Sequence, residues 1–541
     1  MQKIYGLIFI LILSFWTFKP LFNKGLFPIH DDTQVVRVNQ IAKALTQGHF
    51  PVRWSPDLGY GFGYPLFNFY APLPYYFGGL IDYFLKDGIL ATKLMYFGGI
   101  ILAGISMFIL VSEFLDFLPS LLSAMLYLYA PYHAVQIYVR GAVGEYWAYG
   151  LLPLVVWGLY KISKTKNLKA VIITGFLIAL IILSHNLISL IFIGFLLLFL
   201  LLFAVYLLIR KRKLQIIYSL AVSILIGLLL SSFFWLPAVF ESKYTNISSI
   251  TTGGSDFHDH FLNLDQLWNS PWGFGGSAPG RADGMSFKLG KLQLLFGLLG
   301  ILSVYWLKFR KKINNTHFII INFILLLFLL SLIMSLGISI FIWNQLSFIL
   351  KYVQFPWRFL VFMVFSLSFI AAFSLKLLKN NFIKNFLIIL FILLTVIINQ
   401  KYFKPQYFLN LTNNDYLKEE YVKWTVSGIS DEYLPKEFIK PTNKNQIAVE
   451  PVNNYFTISS LSEQQIILNR TAFPGWTVYL DGKIVKVESI KGLLSFIAES
   501  GTHEVVLLLK NTPVQMIGNT LTIITFLGIL LSFSKYEKYH S

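Results

Sequence analysis

Directly after the first apolar run of the chain stand a histidine and two aspartates, His30-Asp31-Asp32. Neighbouring carboxylates can share a proton, raise one pKa or hold a divalent metal such as Mg or Mn, so base catalysis and cation binding are both open to them. A structural use is open as well. Asp32 or Thr33 is placed to cap the helix that follows, where a carboxylate meets the positive end of the helix dipole. Four further motifs hold charges or polar groups beside apolar sequence: Arg53 in Phe50-Pro-Val-Arg-Trp-Ser55, Arg140-Gly-Ala-Val-Gly-Glu145, Ser184-His185-Asn186, and Arg358 in Gln354-Phe-Pro-Trp-Arg358. Guanidinium groups grip phosphate bidentately, and charges bordering a bilayer are costly to keep without a use. Plainer accounts compete: Arg140 pairing with Glu145 across its loop, Arg358 snorkelling to the interface, and His185-Asn186 forming a polar turn. His258-Asp259-His260 has metal-ligand residue types in an exposed polar loop. The glycines at 253–254 and 273–276 lack the strand-turn-helix setting of a phosphate cradle.

Apolar spans must position these residues. Of 541 residues, 56% are hydrophobic and 13% charged, whereas soluble chains carry roughly 25% charged residues. Apolar runs of about 20 residues recur, each long enough for a ~30 Å hydrocarbon core. The net charge of +18 would suggest nucleic acid in a soluble protein. Here the basic residues cluster in short loops between apolar runs, which is the positive-inside pattern, so membrane lipids are the expected partner and nucleic acid is not. Cysteine is absent, which excludes disulfides and thiolate metal sites.

The clusters are Lys161/Lys164/Lys166/Lys169, Arg210–Lys213, Lys308/Arg310/Lys311/Lys312, Lys376/Lys379/Lys384 and Lys535/Lys538. Placing all of them in the cytoplasm requires an even number of crossings between successive clusters. Twelve spans meet this requirement, near 4–22, 89–112, 118–138, 146–161, 168–184, 187–209, 214–237, 289–307, 317–338, 357–375, 383–400 and 514–533. The first reads as an uncleaved helix. The Tyr64–Lys86 segment is apolar but broken by Pro65, Pro72 and Pro74, and as a span it would invert every later loop. It is therefore expected to be juxtamembrane or re-entrant. Glu113 and Asp116, at the first cytoplasmic turn, bring no basic residue of their own.

This topology predicts a multi-pass plasma-membrane protein with both termini cytoplasmic. Residues 1–400 form a transmembrane domain with external loops 23–88 and 238–288. Residues 401–512 form an extracytoplasmic β-domain, and 513–541 a last span and cytoplasmic tail. Within the first loop, Val35, Val38, Ile41, Ala42 and Leu45 predict an amphipathic helix over Gln34–Gln47. Within 401–512, alternating stretches at 455–459, 465–469, 476–480, 484–488, 494–498 and 504–510 predict strands of an all-β sandwich, with Asp481-Gly482 suited to a type I′ hairpin turn.

A first span, an external acidic pair, an amphipathic helix and a proline-rich apolar segment resemble the GT-C superfamily of membrane glycosyltransferases. His30-Asp-Asp-Thr33, Phe50–Ser55, Gly59-Tyr-Gly-Phe-Gly-Tyr-Pro65, Arg140–Glu145, Ser184-His-Asn186 and Gln354–Arg358 are similar to the membrane proteins labelled "6-pyruvoyl-tetrahydropterin synthase-related". Phe473-Pro-Gly-Trp-Thr-Val-Tyr-Leu-Asp-Gly482 resembles the β-domain of YfhO-type proteins. The resemblance implies a GT-C-like fold, a polyprenyl-phosphate-linked sugar donor and transfer on the extracytoplasmic face to a surface glycan, lipid or protein. It maps the base or metal-organising role onto Asp31 or Asp32, beside His30. Arg53, Arg140 and Arg358 are the cations for the leaving phosphate, and Glu145, His185 and Asn186 complete the substrate pocket. The family label does not describe this chemistry, since no three-histidine zinc set of a pterin synthase is recognisable. A lipid flippase or a non-catalytic envelope assembly factor are the alternatives. No inverted repeat of the kind transporters carry is recognisable.

Overall fold

The computed structural model of the protein describes residues 2–448 and 454–538. Among them, six helices are long and apolar enough to cross a membrane: Gly88–Val111, Asn186–Ile209, Lys291–Phe309, Asn315–Ser335, Asn381–Tyr402 and Pro513–Ser532. Three bent pairs raise the number to nine if each is one span: Ile4–Leu13 with Phe15–Phe22 at 53°, Gln215–Leu230 with Ser232–Phe240 at 73°, and Ser347–Val353 with Pro356–Ala371 at 78°. Each bend has a local cause. Ser14 and Ser232 turn their hydroxyls back onto the carbonyls of Leu11 and Leu229. Pro356 cannot continue a helix and opens a new one instead.

Six to nine crossings is fewer than the twelve expected from the apolar runs. The run at 118–138 breaks at Pro131 into Phe117–Leu128, a short helix and a π-helical turn at Val135–Val139. The run at 168–184 makes a helix of 17 residues, short of the ~20 that a perpendicular crossing needs. The run at 146–161 lies in the longer helix Val143–Thr165, which includes Glu145 and Lys164. The Tyr64–Lys86 segment forms two helices, Leu66–Phe69 and Leu73–Leu85. The tail residues 539–541 lie outside the described residues.

The chain separates into two compact units: Met1–Asp31, Lys93–Leu228 and Thr251–Asn410 in the first, Asp32–Thr92, Leu229–Ile250 and Leu411–Ser541 in the second. These units do not follow the linear boundary at residue 400. The first is helical, with a core of buried aromatic and aliphatic side chains that includes the stacked rings of Tyr127 and Tyr149, 3.9 Å apart. The second combines the first-loop helices, the 229–250 segment and the C-terminal strands.

Among the described residues, seven strands form two antiparallel sheets. One has the order β1 (Tyr455–Ser460), β7 (Gly501–Leu509), β3 (Trp476–Leu480), β4 (Lys483–Val485). The other has the order β2 (Gln464–Thr471), β6 (Leu493–Ala498), β5 (Glu488–Ile490). The single strand expected at 484–488 is instead β4 and β5, one in each sheet, because the chain crosses over at Lys486-Val487. Asp481 and Gly482 both have positive φ (50° and 78°), joining β3 to β4 as a two-residue hairpin. Leu468, Val478, Phe496 and Leu507, from both sheets, share one core with Phe69, and Trp54 and Ala238 pack against it. Segments far apart in sequence thus close a core that the strands leave open, which is why they fold as one unit.

The amphipathic helix forms at Gln34–Thr46. Its buried residues include Gln34, Arg37 and Gln40 besides the apolar stripe, so it is enclosed on more than one side. Arg37 donates to the Ser430 hydroxyl at 2.7 Å, and the Gln40 carbonyl accepts from Ser55 at 2.8 Å. Thr33 occupies the N-cap without a side-chain capping bond, and the Asp32 carboxylate accepts from Tyr421 instead. Of the two expected capping residues, Thr33 is thus the N-cap, without a side-chain bond, and Asp32 is not.

Candidate functional site

In the first unit the Arg140–Glu145 loop is wedged between two other segments. Pro131 starts a short helix that widens into the π-helical turn Val135–Val139, a device often found at functional sites. Gly141 follows at φ +63°, and a Cβ there would stand 2.9 Å from Cβ of Ile29. The close approach lets His30 N–H donate to the Val139 carbonyl (3.1 Å) and Asp31 N–H to the Arg140 carbonyl (3.3 Å). On the other side, a Cβ on Gly144 would meet the Ser184 carbonyl oxygen at 2.4 Å. Only glycines at these two positions allow the three segments to converge.

Their side chains form a charge cluster. Glu145 is fully buried. Its Oε2 accepts from Arg140 at 2.8 Å, and its Oε1 accepts from the Tyr132 hydroxyl (2.8 Å) and the Gln136 amide (3.0 Å). Arg358 Nε lies 3.7 Å from the same carboxylate, close enough for attraction but too far for a hydrogen bond. Arg358 is held by the Gln354 side chain at 2.8 Å and by the Val353 carbonyl. Arg140 lies over the Trp357 ring, 4.4 Å from its centroid. The Asp31 carboxylate acts electrostatically on both guanidinium groups. His185 interacts in the same way with Glu145, Arg140 and Arg358. Its Nδ1 accepts from Ile188 N–H at 3.1 Å, capping the Asn186–Ile209 helix; in the neutral ring the proton is then on Nε2. His30 is exposed, with Nε2 3.0 Å from the Phe274 carbonyl.

One buried carboxylate therefore serves two guanidinium groups, Asp31 is the remaining counter-charge, and a surplus positive charge appears when Asp31 takes up a proton. Such a group can bind an anionic oxygen and stabilise negative charge as it develops. The plain expectation that Arg140 and Glu145 pair is correct, and it is only part of the arrangement.

Asp32 and Arg53 belong to the second unit. The Asp32 carboxylate lies 3.3 Å from the Tyr421 hydroxyl. Burial pushes its pKa up to about 6, with the Tyr421 bond opposing the shift. Arg53 donates to Asn68 Oδ1 (3.1 Å), the Phe233 carbonyl (2.9 Å) and Asn519 Oδ1 (2.9 Å). Asn68 and Gln515 amides and the Thr512 hydroxyl in turn donate to Glu241. That network joins three segments of one unit mainly through neutral amides and hydroxyls, which is the pattern of a structural brace.

The 258–260 motif does not converge as a metal site. His258 Nδ1 meets Asp256 at 2.6 Å, whereas His260 is held by Ser277 (2.8 Å) and the Gly254 carbonyl (3.1 Å). Among the described residues no three His, Cys, Asp or Glu side chains gather where they could share an ion. Asp31 and Asp32 thus lack the third protein ligand that a dedicated metal site would show. Sequence reading missed Tyr132 and Gln136, and gave Gln354 and Trp357 no role beyond their place in the Arg358 motif. A phenol and two amides inside or beside apolar runs are the signal that could have found them, because such groups need partners there.

A model of the 6-pyruvoyl-tetrahydropterin synthase related domain, described as a membrane protein, matches residues 67–408. The chain belongs to this family. A curated family relative, an uncharacterised protein of Lactococcus lactis subsp. cremoris, is 27% identical over 345 residues, which are 61% of this chain and 54% of that one. The chain spans about half the length of the curated relative it matches. Among solved structures, this family member is similar to the apo oligosaccharyltransferase of Archaeoglobus fulgidus (TM-score 0.44, 14% identity, 84% of this chain, 62% of that one). It is also similar to the archaeal enzyme AglB of that organism in complex with an inhibitory peptide and a dolichol-phosphate (TM-score 0.45, 14% identity, 84% and 62%). A third similarity is to ArnT from Cupriavidus metallidurans bound to undecaprenyl phosphate (TM-score 0.39, 12% identity, 70% and 60%).

Proposed function

We propose that this membrane protein is a GT-C-like glycosyltransferase that moves a sugar from a polyprenyl-phosphate carrier to an envelope glycan, lipid or protein on the extracytoplasmic face. The observation that carries this reading is the convergence of Asp31, through its backbone bond to the Arg140 carbonyl, with two guanidinium groups that share the buried Glu145 carboxylate. In the reaction, an acceptor hydroxyl gives its proton to the Asp31 carboxylate and its oxygen bonds the sugar C1. The bond from C1 to the phosphate oxygen breaks, and the lipid phosphate leaves with the electron pair. The two guanidinium groups stabilise that anion, and general base assistance adds about 10²–10⁴ in rate. Asp32, ionising near pH 6, is the second candidate base. No step is assigned to a metal.

The sidedness belongs to the same proposal: basic loops and both termini cytoplasmic, and the C-terminal sheets packed as an extracytoplasmic sandwich at the plasma membrane.

The test replaces Asp31→Asn and Asp32→Asn singly, which preserves side-chain shape and removes the base. Expression and thermal stability in detergent should match the parent protein, while lipid-linked sugar accumulates and surface glycans fall in at least one variant. Unchanged lipid-linked and surface glycans in both variants would overturn the catalytic reading.

A further inference from the structure

The helix Val143–Thr165 carries Glu145 in its first turn and ends at Lys166. The 21 positions between these two residues correspond to about 30 Å along a helix, the thickness of the hydrocarbon core. At the Lys166 end, within the first unit, lies a cavity of about 390 Å³. It is separate from the cluster described above and at the opposite end of the same helix.

This cavity is amphipathic along its length. Lys166, Arg212 and Lys213 line one end, and Phe199, Phe203 and Phe323 line the interior. The Phe199 ring packs against Phe323 at 4.2 Å and Phe203 at 5.5 Å, forming an aromatic wall. The lining reaches from Lys166 back to Val156 on one helix. On the helix Asn186–Ile209 it reaches to Phe199, ten residues before Ile209. Both distances are about 15 Å, or half the hydrocarbon core. A groove that starts at the helix ends and stops near mid-membrane has the depth of a single lipid leaflet.

The charge at its mouth is not neutralised from within. Glu113 is the carboxylate that serves this end of the helix, and it pairs with Lys161 (2.7 Å) and Lys164 (3.4 Å). Lys166, Arg212 and Lys213 are exposed and make no ion pair among the described residues. Basic pockets between transmembrane helices recognise anionic headgroups, and an aromatic wall below suits an acyl chain.

We infer that this cavity is a binding site for one anionic phospholipid, its headgroup phosphate at Lys166, Arg212 and Lys213 and one acyl chain along Phe199, Phe203 and Phe323. The site lies at the membrane face opposite the Arg140–Glu145–Arg358 cluster, and its existence does not depend on the transfer reaction proposed for that cluster.

The experiment uses the full chain in detergent, titrated with phosphatidylglycerol, phosphatidylcholine or inorganic phosphate. Thermal unfolding and native mass spectrometry of retained lipid are the readouts. Phosphatidylglycerol should raise the melting temperature and be retained at one molecule per chain, while phosphatidylcholine and inorganic phosphate do neither. Replacing all three exposed cations (Lys166→Gln, Arg212→Gln, Lys213→Gln) should weaken phosphatidylglycerol on the order of a hundred-fold, three surface charges each contributing somewhat less than a decade. Ile319→Trp, which fills the cavity from its lining, should abolish retention with the cations intact. Equal effects of phosphatidylcholine, an equal effect of inorganic phosphate alone, or phosphatidylglycerol binding unchanged in either variant would overturn the assignment.

Discussion

Two buried arginine–glutamate arrangements, one in each compact unit, differ in how their charge is balanced. Around Glu241 and Arg53, neutral amides and hydroxyls intervene: Asn68 accepts from Arg53 and donates to Glu241, while Gln515 and Thr512 supply further donors. One cation stands against one anion. Around Glu145, Arg140 bonds the carboxylate directly and Arg358 approaches it without a hydrogen bond, so two cations share one buried anion and half-buried Asp31 is the second counter-charge. A balanced buried network rigidifies a fold. One whose second counter-charge can be protonated gains capacity for an anion that arrives from outside. The two regions share residue types and differ in what they can do.

The most forceful way to break the contrast is to remove each carboxylate in turn. Glu145→Gln strands two buried guanidinium groups and should cost about 3–5 kcal/mol. Glu241→Gln strands mainly neutral donors and should cost about 1–3 kcal/mol. Urea or thermal unfolding in detergent measures both, and equal losses would erase the distinction. Arginine-to-lysine changes separate function from bracing. Arg140→Lys should keep the charge and most of the stability yet lower glycan transfer about ten-fold or more, because bidentate geometry is lost. Arg53→Lys should instead lower stability by about 1–3 kcal/mol, leaving transfer per folded molecule unchanged.

A pH experiment sharpens the comparison between the two aspartates. The Asp32 pKa is raised from 3.8 to about 6 by burial, so between those values the folded state holds a proton that the unfolded state has lost. Its contribution to stability is fully present below pH 3.8 and is lost as pH rises through about 6. Melting temperature measured from pH 4 to 7 should carry this downward component, and Asp32→Asn should remove it while Asp31→Asn leaves it in place. The smallest effect is expected for Tyr132→Phe, which deletes one of several donors to Glu145 and should cost about 1 kcal/mol.

Much of this was readable from the residues alone, and what escaped had consistent physical causes. Hydrophobic runs marked the helices because a ~30 Å apolar slab imposes a length on every crossing. The same runs concealed the breaks at Ser14, Ser231 and Phe355, since hydropathy does not register a bend. Strands with period-two alternation were recognisable, yet β4 and β5 merged into one because the crossover between sheets uses residues of ordinary strand type. Arg140, Glu145, His185 and Arg358 stood out as polar groups against apolar sequence. Tyr132 and Gln136 did not, because they lie in an apolar run and meet Glu145 only once the chain breaks at Pro131 and passes through the π-helical turn Val135–Val139.

By itself the sequence determined that this is a membrane protein and which polar residues had to be accounted for, because composition and charge act locally along the chain. Tertiary structure alone decided which of those residues meet. Asp31 and Asp32 are adjacent in sequence but fall in different compact units, one tied through its backbone to Arg140 and the other through its carboxylate to Tyr421. The partners of these two aspartates come from segments more than a hundred residues away, and no local pattern encodes which of them will arrive.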